Sequence, residues 1–207
     1  MKASIFFVLF FWWSQLMCGQ KIVQKVIENP VNQNIYIDTN NCFQVDLKTS
    51  SSKQLQVIAS IEGEYLKDLV VKIEEKGNDV FVSAGFLPNF IMPNDKLNAL
   101  EEVSIALYIT IPIYANIQLF GTNSNVNATG KYNRLKITLA DGDCILKNVT
   151  KKTEVKTQNG NIMVIAESGT IKANSNYGEV SKNKIPQGES SYILNSVQGN
   201  IELNKTE

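Results

Sequence analysis

The residues best suited to chemistry in this sequence are carboxylates placed around glycine turns. Asp141 and Asp143 flank Gly142, and Glu179 follows Gly178 as Asp143 follows Gly142. Two carboxylates across a cleft can act as acid and base on a glycosidic bond, and oxygen ligands of this kind can hold calcium. The companion turns, Asn159-Gly160-Asn161 and Gln198-Gly199-Asn200, carry amides at these places. An amide cannot stand in for a proton-transferring carboxylate, so the acids read as solvated turn residues. Asn123, Asp141 and Asn159, beside Asn125, Asp143 and Asn161, form a polar series of the kind that supports stacked strands by side-chain hydrogen bonds. The nonapeptide calcium signature, Gly-Gly-x-Gly-x-Asp, is absent. So is histidine, which excludes Ser–His–Asp and Cys–His nucleophile systems and the usual His-bearing zinc sites. No residue is therefore assigned a catalytic, cofactor-binding or metal-ligating role, no cofactor is expected, and the chain is read as a non-enzyme.

The elements that position these turns repeat. Gly142, Gly160, Gly178 and Gly199 are separated by 18, 18 and 21 residues, and 18 before Gly142 lies Ser124 in Asn123-Ser124-Asn125. Fixed periods near this length mark stacked repeats. Two residues after the central position stand Val126, Cys144, Ile162, Val180 and Ile201. Five before it stand Leu119, Ile137, Val155, Ala173 and Leu194, and seven before it Ile117, Leu135, Thr153, Ile171 and Tyr192. Offsets alternating by two give the strand period, so each unit reads strand, tight turn, strand. The glycines are expected at positive φ, which they adopt without steric cost. Stacked in chain order, the units place Ile162 between Cys144 and Val180, facing inward, with Met163 facing out. The fold expected is all-β: a strand layer leading into a short β-solenoid or β-roll.

Residues 31–114 read as the N-terminal strand layer, and 115–207 as the repeat region, the two forming one continuous domain. Strands are expected at Ile35–Ile37, Cys42–Leu47, Leu55–Ile61, Leu69–Ile73, Val80–Val82 and Val103–Ile111. Lys76-Gly77-Asn78-Asp79 signals a hairpin, and Pro112 suits a strand end. In Cys42–Leu47 the apolar alternates Phe43, Val45 and Leu47 are expected inside, with Cys42 on the other face. The segment from Phe86 to Leu100 reads as a long loop whose Phe86, Leu87, Phe90, Ile91 and Met92 fold back on a sheet face; a binding patch is the sharper reading. A turn around Asn94–Glu101 is the one hint of helix.

Residues 1–19 read as a signal peptide. Lys2 precedes an apolar run from Ile5 to Trp13, too short to span a bilayer as a stable helix, and Gln20 would begin the mature chain. Lipidation at Cys18 is the less favoured alternative, because Leu16 and Met17 fit a lipobox poorly; membrane attachment is expected only in that case. The protein is thus expected in the periplasm, at the cell surface or secreted. Basic and acidic residues both number 20. Loss of Lys2 leaves one more acid than base, so no nucleic-acid role is suggested. Lys147, Lys151 and Lys152 read as solvated surface. Asn127, Asn148 and Asn204 begin glycosylation sequons, which matter only in a eukaryotic source. Cys42 and Cys144 are expected to stay reduced, Cys144 as a small core hydrophobe.

Taken together, Ile105–Pro112, the following Ala115-Asn116-Ile117-Gln118-Leu119, and the repeated Asp-Gly-Asp or Asn-Gly-Asn turns resemble the bacterial putative-adhesin families of β-strand repeats, of the head-GIN type, found in envelope proteins of the Bacteroidetes. The strands from Phe43 to Val82 sit where such families place their first β layer, and the likeness runs from about Ile35 to Leu203. The resemblance implies an exported cell-envelope protein with an adhesin-like binding or scaffold role toward a surface ligand, glycan or protein. It brings no catalytic residues. This chain departs from the pattern in its fourth unit, which puts Ser175 and Lys182 at inward places, and in its long apolar loop. The alternative function is a carbohydrate-active enzyme, a polysaccharide lyase or hydrolase, on the same scaffold. A cleft lined by clustered acids would favour that alternative; a face of Asn, Thr, Ser and Lys would favour binding.

Overall fold

The computed structural model describes residues 20–28, 34–63, 66–90, 104–182 and 185–206. The signal segment, Ile91, Met92 and the turn expected at Asn94–Glu101 lie outside these. Among the described residues the chain is all-β and forms one mixed sheet. Its strands are β1 (Lys21–Glu28), β2 (Asn34–Asp38), β3 (Gln44–Ser50), β4 (Gln54–Glu62), β5 (Leu69–Lys76), β6 (Asp79–Phe86), β7 (Ser104–Pro112), β8 (Asn116–Asn123), β9 (Asn125–Asp141), β10 (Cys144–Thr157), β11 (Ile162–Ala166), β12 (Thr170–Ser175), β13 (Val180–Lys182), β14 (Ser191–Ser196) and β15 (Ile201–Lys205).

β9 and β10 each serve twice. Their first halves stand in a parallel ladder β3-β9-β10-β11-β15-β13, where Val45, Val126, Cys144, Ile162, Ile201 and Val180 share one register. Their second halves stand in another, β2-β8-β9-β10-β14-β12, where Ile37, Leu119, Ile137, Val155, Leu194 and Ala173 do so. The units therefore pair side by side in parallel, not as separate hairpins. β7, β4 and β1 extend the first ladder; β6 and β5 extend the second, β5 and β6 forming the expected hairpin across Gly77. Alternation puts one side chain in two on the inner face, and both ladders fill a single buried cluster. Each fully buried Ile, Leu or Val contributes roughly 1.5–3 kcal/mol.

The structure corrects the sequence reading in several places. The units do not stack in chain order. β15 lies between β11 and β13, and β14 between β10 and β12, so the fifth unit is inserted between the third and the fourth. Ile162 is inward as expected, but its neighbours are Cys144 and Ile201. The fourth unit takes the outer end, where β12 alternates half-buried and exposed residues. Its polar composition suits an end that covers the stack on one side only.

Ser175 is not a defect of that unit. It shares a register with Ser196 and Thr157, and all three hydroxyls bond turn backbone. Ser175 Oγ donates to Gly199 O at 2.8 Å, Thr157 Oγ1 to Gly160 O at 2.7 Å, and Ser196 Oγ accepts from Gly199 N at 2.9 Å. Of the four turn glycines only Gly142 has a positive φ, 103°. The others are required by close approach: a Cβ on Gly160 would lie 1.8 Å from Gly142 O, one on Gly199 2.0 Å from Gly160 O, and one on Gly178 2.3 Å from Gly199 O.

Cys42 is buried and Phe43 is half exposed, the reverse of the expected facing. β3 begins only at Gln44, and the turn before it, in which Cys42 N donates to Thr39 O at 2.9 Å, breaks the alternation. β1, which the sequence reading did not assign, is an edge strand with Val23 and Ile27 packed against the core.

Candidate functional site

The turns that carry the sequence's carboxylates form one edge of the stack. There each unit's side chain bonds the next unit's backbone. Asn125 Oδ1 accepts from Asp143 N at 2.9 Å, Asp143 Oδ1 from Asn161 N at 2.8 Å, Asn161 Oδ1 from Asn200 N at 2.8 Å, and Asn200 Oδ1 from Glu179 N at 2.8 Å. Asn159 Nδ2 likewise donates to Asp141 Oδ1. Carboxylate and amide oxygens play the same accepting part, which is why Asp and Asn interchange along the column. Among the described residues no group of three or more acids and cysteines is placed to hold a metal.

Cys42 and Cys144 are free thiols. Burial, with Asp38 as a lesser cause, pushes the Cys42 thiol up to about 12; burial, then Asp143, does the same to Cys144. Both therefore stay protonated and unreactive as packing groups. Phe86, expected to open the loop, is the last residue of β6 and packs against the core as a strand residue; Phe90, in the loop, stacks on it with ring centroids 4.5 Å apart.

The opposite edge, where β9 and β10 bend from one ladder to the other, holds a groove. Lys147 pairs with Thr129, Thr150 with Lys131 and Lys152 with Arg134, so each strand carries one extra residue between pairing points. Such bulges break the alternation and re-aim side chains. Lys147 to Lys152 consequently border the same groove without interruption. Among the described residues the non-glycines at positive φ are Tyr114 (65°), Asn148 (51°) and Lys151 (63°), and all three line it. At Tyr114 and Lys151 the left-handed backbone costs roughly 1–2 kcal/mol, while Asn148 tolerates it more readily, and strain of this kind gathers at functional places.

The strained backbone is pinned from neighbouring elements. Lys131 N donates to Thr49 Oγ1 at 2.8 Å, Tyr114 N to Lys131 O at 2.8 Å, and Lys151 N to Ser190 Oγ at 3.2 Å. Gly130, at φ 114°, sits where a Cβ would meet Thr49 Oγ1 at 2.0 Å. Beneath the groove, Tyr132 Oη donates to Thr129 O at 3.1 Å and Tyr192 Oη to Val149 O. Burial pushes both phenols above their ordinary range, so they remain neutral donors.

Two adjoining hollows, of about 620 and 740 Å³, share Lys131, Thr150 and Ser190. Lys147 and Glu167 line the first, and Tyr114, Lys151, Lys152 and Glu189 the second. The Lys151 ammonium stands 4.8 Å from the Tyr114 ring centroid, within cation–π range. Lys147, Lys151 and Lys152 are exposed, as expected, and also border the groove. Their crowding in six residues was the one available signal; the bulges that gather them have no local signature.

No family model matches this sequence, and no curated protein does. Among solved structures, the fold is similar to that of a "putative cell adhesion protein" from Clostridium sporogenes, with TM-score 0.67 and 14% identity over 91% of this chain and 100% of that one. A "putative adhesin" from Bacteroides fragilis gives TM-score 0.41 and 12% identity over 91% and 99%, and one from Parabacteroides distasonis 0.36 and 11% over 88% and 97%. The name printed for the first of these is of the adhesin type that the resemblance pointed to. At these identities the likeness is one of fold, and the first superposition carries it.

Proposed function

We propose that the chain is an exported, non-enzymatic cell-envelope protein with an adhesin-like binding role, built on a short β-roll whose bent edge is the binding surface. The observation that carries this reading is the groove: strained, pinned by hydrogen bonds from neighbouring elements, and lined mainly by Lys, Thr, Ser, Asn and Tyr side chains, with one glutamate in each hollow, Glu167 and Glu189. A face of that composition, not a cleft of clustered acids, is what separates binding from glycoside chemistry. Parallel units in common register give the groove a stiff support. In this reading residues 1–19 are removed on export, and residues 31–114 and 115–207 act as one body. The name of the first structural neighbour, a "putative cell adhesion protein", agrees with it. N-terminal sequencing of the native protein, expected to begin at Gln20, tests export. A polysaccharide panel incubated with residues 20–207 tests the rest. Retention without released product is expected. Product release that Asp141→Asn/Asp143→Asn abolishes would establish the enzyme instead.

A further inference from the structure

We infer that the bent-edge groove takes an acidic linear polysaccharide, its carboxylate or sulfate groups held by Lys131, Lys147, Lys151 and Lys152. The inference rests on the binding role proposed above and names the ligand class of the same site.

Charge is the first argument. Lys72, Lys76 and Lys156 are each paired with a glutamate. Like most lysines among the described residues, the four of the groove have no ion pair; what sets them apart is that they meet in one place, against two glutamates, Glu167 and Glu189. Four ammonium groups gathered without an ion pair, one of them over the Tyr114 ring, leave a local positive surplus on a chain whose formal net charge is 0.

Shape is the second. The two hollows run into each other across Lys131, Thr150 and Ser190 and are open to solvent along the edge. Together they exceed the several hundred Å³, about 300–1,000, of a small-molecule pocket. A chain of several sugars fits an open trough better than one compact metabolite does.

The remaining lining fits sugars between the acid groups. Thr49, Thr129, Thr150, Ser168 and Ser190 border the trough with hydroxyl groups that can both donate and accept. The Tyr114 side chain, half exposed, presents a ring on which a sugar face can lie. Glu167 and Glu189 can accept from sugar hydroxyls, but they would repel a polymer with a charge at every short step. That argues for acid groups spaced by neutral hydroxylated stretches. Arg134, the sole arginine, pairs across the ladder with Lys152 and lines, with that lysine, Asn116 and Asn133, a hollow adjoining the trough, where its fork can add to the hold on an acid group. Because Lys131 and Lys151 have their backbones fixed in advance, the ordering that opposes binding is confined to the lysine side chains.

The test is biolayer interferometry with residues 20–207 against polygalacturonate, a sulfated dextran, neutral dextran and phosphatidylglycerol vesicles, each at low and high salt. Two variants accompany it. Lys131→Gln/Lys147→Gln/Lys152→Gln removes charge at similar length. Tyr114→Asn removes the ring but keeps a residue that tolerates the left-handed backbone. The wild type is expected to bind an acidic polymer more weakly as salt rises. The triple variant is expected to lose about tenfold or more, as three weak ion pairs would together, with an unchanged thermal melt. Tyr114→Asn is expected to weaken binding while keeping its salt dependence. Preference for polygalacturonate identifies carboxylate as the recognised group, and preference for sulfated dextran identifies sulfate; either supports the inference. Equal binding of neutral dextran, tighter binding of vesicles, or full affinity in the triple variant overturns the acidic ligand and leaves the binding role standing. Cleavage of a polymer overturns the binding role itself.

Discussion

Replacing Gly160 with alanine separates two explanations of the turn glycines. The backbone at Gly160 is not in the left-handed region, so conformational freedom alone makes Gly160→Ala harmless. By reducing the entropy of the unfolded chain it would even stabilise by about 0.4–1 kcal/mol. Close approach gives the opposite answer. An added Cβ would stand 1.8 Å from Gly142 O and 2.6 Å from Gly142 C, both backbone atoms. Normal contact requires the two turns to separate by well over an ångström. They are tied by the Asp143–Asn161 bonds and by both ladders, so the stack must open locally. Overpacking costs about 1–3 kcal/mol when side chains can yield; with backbone on both sides the upper end, about 3 kcal/mol, is expected. Gly77→Ala is the control. Gly77 has φ 61° with nothing within 4 Å of an added Cβ, so only the left-handed penalty of about 1–2 kcal/mol applies. Urea unfolding of both variants beside wild type measures the order. If Gly160→Ala is milder than Gly77→Ala, the turns are not in backbone contact and the stacking described here is wrong.

Ile162→Asp is expected to unfold the repeat region, since it forfeits roughly 1.5–3 kcal/mol of burial and strands a carboxylate; Met163→Asp, on the half-buried outer face, should cost under about 1 kcal/mol. Thermal melts decide, and equal damage would refute the assigned facing. Thr153 is fully buried, and among the described residues its Oγ1 finds no partner, so Thr153→Val should stabilise by about 1 kcal/mol in urea unfolding; a loss of stability would reveal a bond. The raised Cys42 and Cys144 thiols favour the folded state below pH 9, and that contribution is lost as pH rises toward 12. Stability measured across this range should fall less steeply in Cys42→Ala/Cys144→Ala than in wild type. Removing residues 185–207 takes away β14 and β15, the pairing partners of β12 and β13. Hydrogen exchange over residues 170–182 should then become fast, and retained protection would mean that the fourth unit can stack directly on the third.

What the sequence determined by itself is local. Alternation of apolar residues and the chemistry of short turns depend on near neighbours along the chain. That is why the all-β character, the β5–β6 hairpin, the inward facing of Val126, Cys144 and Ile162, and the polar ladder from Asn125 to Asn161 were legible. The same locality explains the errors at Cys42 and Phe43, where alternation was extended across a turn. Unit order was not legible, because parallel columns of Ile, Val and Leu accept one another in any sequence. Ile201 fits beside Ile162 as well as Val180 does. Only the packed structure chooses, placing the most polar unit at the end where one side faces water. The groove belongs to the same class. Its lysines are visible in the sequence, but Tyr114, Lys131 and the Lys147–Lys152 cluster come from three separate places along the chain. They meet because two bulges and three left-handed residues turn the strands, and those conformations are held by hydrogen bonds from other elements that no local pattern encodes.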